Sequence, residues 1–294
     1  MAHSSTPVDD VLAGKGNRHR YACRKLTPVS KAKIGVNDIG LLRGFGTYEA
    51  MTTFGRRPFM LKAHLERFRR STAGLKLMLP ASDTHIAKIL DRLIAHNVKK
   101  GKEAVIRMIV TGGEAIGGIE YDRGAPTFYI LVEQLAPLAP KFYSKGSSLI
   151  IHEFQRQFPE VKTTNYIEAV LLQAERKAAG ALEILYVSEG KVLECATSNF
   201  FIVKNGVLIT AKKNILEGIT RKVALDVARP HFKIEIRDVS VDEMYRADEA
   251  FLTSSFKGIV PVVKVGKRKI GNGTVGPVTK RVMQLFHEFT RNYE

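Results

Sequence analysis

Pro137 and Pro140, inside residues 135–141, divide this chain into two halves, and each half mixes short strand-like runs with segments of helical period. Such a pattern implies an α+β (mixed α/β) protein with its site at the junction of two domains. In the first half, residues 36–60 read as a β-hairpin. Phe45, Tyr48, Ala50 and Phe54 are punctuated there by Gly44, Gly46 and Gly55, with Gly55-Arg56-Arg57 as the turn. Residues 62–77 have helical period, with Leu65, Phe68, Ala73 and Leu77 on one face, and Leu79-Pro80 stops them. Ser82 is placed to cap a second helix running to about residue 97. Residues 104–110 and 127–132 read as strands joined by a glycine-rich loop over 111–123. Beyond the prolines, strands are expected at 149–154, 183–188, 200–204 and 249–253, with helices at 165–179, 220–228 and 277–292.

With 294 residues, 45% of them hydrophobic, the chain can bury the cores of two domains. The expected division is a small N-terminal α/β domain over 25–134, a connection over 135–141 and a larger domain over 142–294. Residues 1–24 are polar, carry Pro7, Gly14 and Gly16, and lack a secretory apolar stretch, which reads as a loosely ordered leader. No apolar run has the length a membrane helix needs. Cys23 and Cys195 make no disulfide framework, so a reducing, cytoplasmic setting is expected. Neither cysteine has metal-ligand spacing to a second Cys or His, and the histidines show no i,i+4 pairing, so no metal site is expected. The net charge of +17 raises nucleic acid as a partner. The basic residues are spread along the chain, however, and no aromatic stacking pattern interleaves them, so a solvated basic surface is the simpler account.

Chemistry concentrates in two strings. Pro159-Glu160-Val161-Lys162-Thr163-Thr164-Asn165-Tyr166 offers a lysine in a tight, mostly uncharged setting. Leu193-Glu194-Cys195-Ala196-Thr197-Ser198-Asn199 offers a carboxylate at the far end of a hairpin whose turn is Glu189-Gly190. Around them lie groups that suit a phosphate. Arg67 follows His64 on the first helix, and Gly218-Ile219-Thr220 opens a helix whose N–H groups suit an anion. Ser254 and Ser255 follow Thr253 at a strand end. An amine for a Schiff base, an anion for a pyridinium nitrogen and donors for a phosphate are what a pyridoxal 5'-phosphate (PLP) enzyme requires.

These strings, in this order, resemble the class IV (fold type IV) PLP-dependent aminotransferases over residues 26–292, with likeness to both the D-amino-acid and the branched-chain members. The resemblance implies a C-terminal β-barrel-like domain flanked by helices and a homodimer. It implies Lys162 as covalent anchor and general acid/base, and Glu194 at the pyridine nitrogen. The cofactor-binding set it implies is Arg67, Tyr166, Thr197, Ser198, Asn199, Gly218, Ile219, Thr220, Ser254 and Ser255. Tyr48 and the arginines Arg43, Arg107 and Arg156 are the substrate candidates. The expected reaction moves an amino group between an amino acid and a 2-oxo acid such as 2-oxoglutarate or pyruvate. The Thr111-Gly112-Gly113 loop and the approach Phe154-Gln155-Arg156-Gln157-Phe158-Pro159 tilt the reading toward D-amino acids. A branched-chain L-amino-acid aminotransferase is the main rival. An aminodeoxychorismate lyase, resembled by Gly40-Leu41-Leu42-Arg43-Gly44, is the next. A basic nucleic-acid-binding protein is the reading from a different class; it would bind with strong salt dependence and carry no cofactor.

Overall fold

The computed structural model describes residues 10–14 and 26–293, which fall into two compact units. One comprises the chain up to Ala136 together with Val161–Asn165; the other comprises Pro137–Glu160 and Tyr166–Tyr293. The break at Ala136/Pro137 lies inside the expected connection, but the lysine segment belongs to the first unit, not to the C-terminal domain in which sequence order had put it.

The first unit is built on an antiparallel sheet. Its strands are β1 (Asp10–Gly14), β2 (Leu26–Pro28), β3 (Gly46–Phe54), β4 (Arg57–Pro58), β5 (Ala104–Thr111) and β8 (Thr127–Gln134), in the order β2-β1-β8-β5-β3-β4. The loop between β5 and β8 carries a two-strand ribbon, β6 (Ala115–Ile116) and β7 (Glu120–Tyr121). Asp10–Gly14, inside the stretch expected to be loosely ordered, is a strand paired with β8; the rest of that leader, Cys23 included, lies outside the described residues. Two helices, α2 (Leu61–Gly74) and α3 (Asp83–Asn97), follow the expected boundaries, and Ser82 Oγ accepts the His85 N–H at 3.2 Å as the N-cap of α3. Their apolar faces bring Leu65, Phe68, Ile86, Leu90 and Leu93 onto Met51, Ile106, Met108, Ile130 and Val132 of the sheet. Burying each such side chain contributes about 1.5–3 kcal/mol, which is why the helices need no strong intrinsic propensity.

The expected hairpin over 36–60 is shorter than its glycine pattern indicates. Ile39–Arg43 forms a helix, α1, because Asp38 Oδ1 accepts the Gly40 N–H at 2.8 Å and Gly44 closes it at φ 66°. The hairpin that remains, β3 and β4, turns at Gly55 and Arg56, both with positive φ, as a two-residue turn requires.

The second unit holds α4 (Lys141–Ser144), β9 (Ser147–Glu153), α5 (Ile167–Leu171), α6 (Gln173–Ala178), β10 (Glu183–Ser188), β11 (Lys191–Cys195) and β12 (Asn199–Lys204). It continues through β13 (Val207–Thr210), α7 (Ile219–Ala228), β14 (Ile234–Ile236), β15 (Val239–Ser240), α8 (Val241–Tyr245), β16 (Glu249–Ser254), β17 (Gly258–Val265), β18 (Arg268–Lys269) and α9 (Pro277–Arg291). Strands β12-β16-β17-β9-β10-β11 pair in sequence, and β11 pairs back onto β12, closing a barrel. Leu149, Leu185, Phe200, Leu252, Val260 and Val262 belong to the core cluster of this barrel. Closure removes the sheet edges. It also sets a row across three strands, because Glu194 lies opposite Asn199 and Asn199 opposite Thr253.

Candidate active site

In the first unit, the lysine segment is laid along the free edge of β3. Tyr48 N donates to Lys162 O at 2.9 Å, Thr164 N donates to Gly46 O at 2.9 Å, and Thr47 and Thr163 form an antiparallel bridge. A third tie comes from α2, whose Ser71 Oγ accepts the Lys162 N–H at 3.1 Å. The backbone of the lysine is thus fixed from both sides, leaving the side chain to be aimed. Its Nζ lies 4.3 Å from the centroid of the Tyr48 ring. Tyr48 shares its sheet face with Ile109, its cross-strand partner, and with Tyr129, Leu131 and Arg107.

The opposite face of β3 points to α2. Glu49, fully buried there, pairs with Arg67 through Nε (2.9 Å) and Nη2 (2.6 Å) and with His64 through Nδ1 (3.0 Å). Burial alone would push the Glu49 carboxyl up; the charges and hydrogen bonds of Arg67 and His64 outweigh it and hold that carboxyl well below the usual carboxylate range. Burial pushes the His64 imidazole down, more than Glu49 pulls it up. Arg67 and Ser71 are four residues apart on α2, so one helix face carries both the arginine and the anchor of the lysine backbone.

In the second unit, Glu194 closes β11 and is buried. Its carboxylate accepts Asn199 Nδ2 and the Leu216 N–H, each at 3.2 Å, and pairs with Arg156 Nη2. Asn199 donates also to Leu216 O at 2.7 Å, so the asparagine is held on two sides. Gly218 is the N-cap of α7 and has no side-chain cap; a methyl group there would overlap Asn199 Oδ1. Ile219 and Thr220 in the first turn of that helix are buried, as is Ser254, whereas Ser255 is half-buried. Thr253 Oγ1, in the row with Glu194 and Asn199, is buried without a hydrogen-bond partner. Tyr166 caps α5 and raises the proton affinity of the Tyr186 phenol, second to burial.

Several side chains take positions that sequence reading did not anticipate. Arg156, a substrate candidate, sits on Glu194 and on Pro159 O (2.9 Å). Arg107 pairs with Glu133 across β5 and β8, and Arg43 is exposed, its Nη1 donating to Leu42 O at 2.9 Å. Thr197 and Ser198 donate their hydroxyl protons to the buried Glu183, which Lys257 also contacts. A hydroxyl has one proton to give, so these two serve the Glu183 cluster and are not donors to a phosphate. Sequence reading passed over Glu49, Glu183 and Lys257, since each gains meaning only from a partner distant in the chain. Cys195 is buried, and burial pushes its thiol well up. Among the described residues no cluster of His, Cys, Asp and Glu could hold a metal ion, and no helix is long and apolar enough to cross a membrane.

The sequence profile of the family Amino-transferase class IV matches residues 46–265. A probable branched-chain-amino-acid aminotransferase of Aquifex aeolicus is 39% identical, over 91% of this chain and 90% of its own. A D-alanine aminotransferase of Listeria monocytogenes is 28% identical, over 88% of this chain and 92% of its own. Among solved structures, a T.th. branched-chain amino acid aminotransferase with pyridoxamine 5'-phosphate superposes with a TM-score of 0.85 at 25% identity, covering 98% of this chain and 95% of that one. With the lysine on its strand edge and the carboxylate on its barrel strand, the chain belongs to the class IV aminotransferases and is a transaminase of fold type IV.

Proposed function

We propose that this enzyme transfers an amino group between an amino acid and a 2-oxo acid with PLP held covalently by Lys162. The observation that carries the reading is the mounting of that lysine: backbone tied to β3 and α2, amine aimed over Tyr48. The donor set fits the cofactor. Arg67, with the uncapped first turn of α7 at Gly218, Ile219 and Thr220 and the hydroxyls of Ser254 and Ser255, suits a phosphate dianion. The orphaned Thr253 hydroxyl and the doubly held Asn199 suit the polar groups of a ring. Tyr166 is the candidate for the ring oxygen. PLP supplies the electron sink when bound.

The residues supply the rest. Lys162 Nζ takes the proton from the substrate Cα and delivers it to the acceptor carbon. Glu194, kept anionic by Arg156 and the Leu216 N–H, holds a proton on the pyridine nitrogen. Tyr48 and Arg43 are the substrate-side candidates. A D-amino acid is the first reading for the donor. A branched-chain L-amino acid is the second, favoured by the apolar face that Ile109, Tyr129 and Leu131 share with Tyr48. The test is a screen of the PLP-loaded enzyme against D- and L-alanine, glutamate and leucine, following 2-oxo acid formation. Turnover of the D-acids alone fixes the first reading, and turnover of L-leucine with L-glutamate fixes the second. Pyruvate release from aminodeoxychorismate with no amino acceptor would replace both by the lyase.

The reading extends to a homodimer. Ile167, Val170 and Leu171 lie on one side of α5 and are 66–71% exposed, a spacing that leaves an apolar stripe in want of a cover. Sedimentation of the wild type is expected to give a dimer, and the double variant Ile167→Glu/Leu171→Glu to weaken it by at least about tenfold in Kd. A monomeric wild type at micromolar concentration would remove the dimer from the proposal.

A further inference from the structure

The Glu49–His64–Arg67 cluster is more heavily built than the stability of the first unit requires. Its three side chains are each no more than 5% exposed. Glu49 accepts both Arg67 nitrogens of the Nε/Nη2 edge, the His64 ring nitrogen and the Ala50 N–H at 2.8 Å. Burying a carboxylate and a guanidinium costs several kcal/mol per ion, and an apolar pair of similar volume is often as stable. What a bidentate carboxylate adds is geometry, because it fixes the plane and rotation of the guanidinium.

We propose that Glu49 is a positioning residue for phosphate recognition: it holds Arg67 in a fixed orientation, so that an incoming phosphate oxyanion is received on the Nη1 side of a guanidinium already in place. The proposal rests on the reading of Arg67 as the phosphate arginine. Two further features support it. In the cofactor-free protein Arg67 would otherwise be a buried cation with its phosphate gone, a state that costs several kcal/mol and that a paired carboxylate removes. The same stretch of α2 ties the backbone of Lys162 through Ser71, so an arginine locked against β3 stays in register with the lysine mounted on that strand's edge.

The experiment compares PLP with pyridoxal, which lacks the phosphate, as ligands of protein stripped of cofactor, using equilibrium dialysis. Wild type, Glu49→Gln and Arg67→Met are measured together, each checked for folding by its thermal melt. Glu49→Gln is expected to lower the preference for PLP over pyridoxal by about 10- to 100-fold, the size seen for groups that orient metal ligands from behind. Pyridoxal affinity should change less than twofold, a split that a merely structural role would not produce. If Arg67→Met lowers the preference and Glu49→Gln does not, Glu49 has no positioning role and the proposal fails alone. If Arg67→Met leaves the preference unchanged, the phosphate role of Arg67 fails and takes the proposal with it. Should Glu49→Gln not fold, a crystal structure of the PLP-loaded wild type decides. A Glu49–Arg67 pair retained beside the phosphate supports the proposal, and an Arg67 turned away from Glu49 overturns it.

Discussion

Lys162→Ala is expected to fold normally and to transaminate at least about 10⁴-fold more slowly than wild type, the upper end of what a positioned acid/base supplies. The fold should survive because the structural work at this position is done by the backbone. Lys162 N donates to Ser71 Oγ, Lys162 O accepts from Tyr48 N, and the flanking Thr164 N–H bonds to Gly46 O. Alanine keeps all three. What is lost with the side chain is its contact with the Tyr48 ring, on the order of 0.5–2 kcal/mol, so the melting temperature should fall by only a few degrees. Borohydride reduction followed by mass spectrometry supplies the second readout: wild type should carry the cofactor mass on the Val161–Asn165 segment, and the variant should carry none. A variant that turned over at the wild-type rate, or a wild-type label on a different lysine, would end the assignment of Lys162.

How much of this was legible beforehand depends on how local each signal was. The strings around Lys162 and Glu194 carry their meaning within a few residues, and both the helices on the first sheet and the Ser82 cap follow from period and capping chemistry. Strand β17 went unread because Pro261 sits inside it, and a proline argues against a strand interior. In the fold its neighbour across β16 is Phe251, and its carbonyl accepts the Ser147 hydroxyl at 2.8 Å, so the residue contributes through its acceptor rather than through a donor it lacks. The placement of Lys162 was hidden for a different reason. Nothing in Val161–Asn165 itself says that it will bond to β3, more than a hundred residues earlier. Arginine roles were the least legible. Arg67, Arg107 and Arg156 look alike in sequence as candidate anion binders, and each meets a carboxylate set by strand register or helix packing: Glu49, Glu133 and Glu194.

That last pairing separates two roles for Arg156 by experiment. If Arg156 bound the substrate carboxylate, Arg156→Gln would raise KM for the amino acid at least about tenfold with a smaller effect on kcat. The structure places its guanidinium on Glu194 and Pro159 O, with its side chain 16% exposed, so the opposite split is expected. Arg156→Gln should lower kcat and leave KM within about twofold, because the change acts through the carboxylate that protonates the pyridine nitrogen. Glu194→Gln should be the more severe of the two, with kcat down by about 10²–10³, as when one preorganised electrostatic partner is removed from a site. Its amide keeps the shape of the carboxylate and can still accept the Leu216 N–H, so the loss reports charge rather than packing. Since both changes remove the same interaction, the double variant should be little worse than Glu194→Gln alone, with a coupling of roughly 1–3 kcal/mol. Strict additivity would mean that the two residues act separately. Arg156 would then return to the substrate side, and Glu194 would have to be kept ionised by Asn199 and the Leu216 N–H without it.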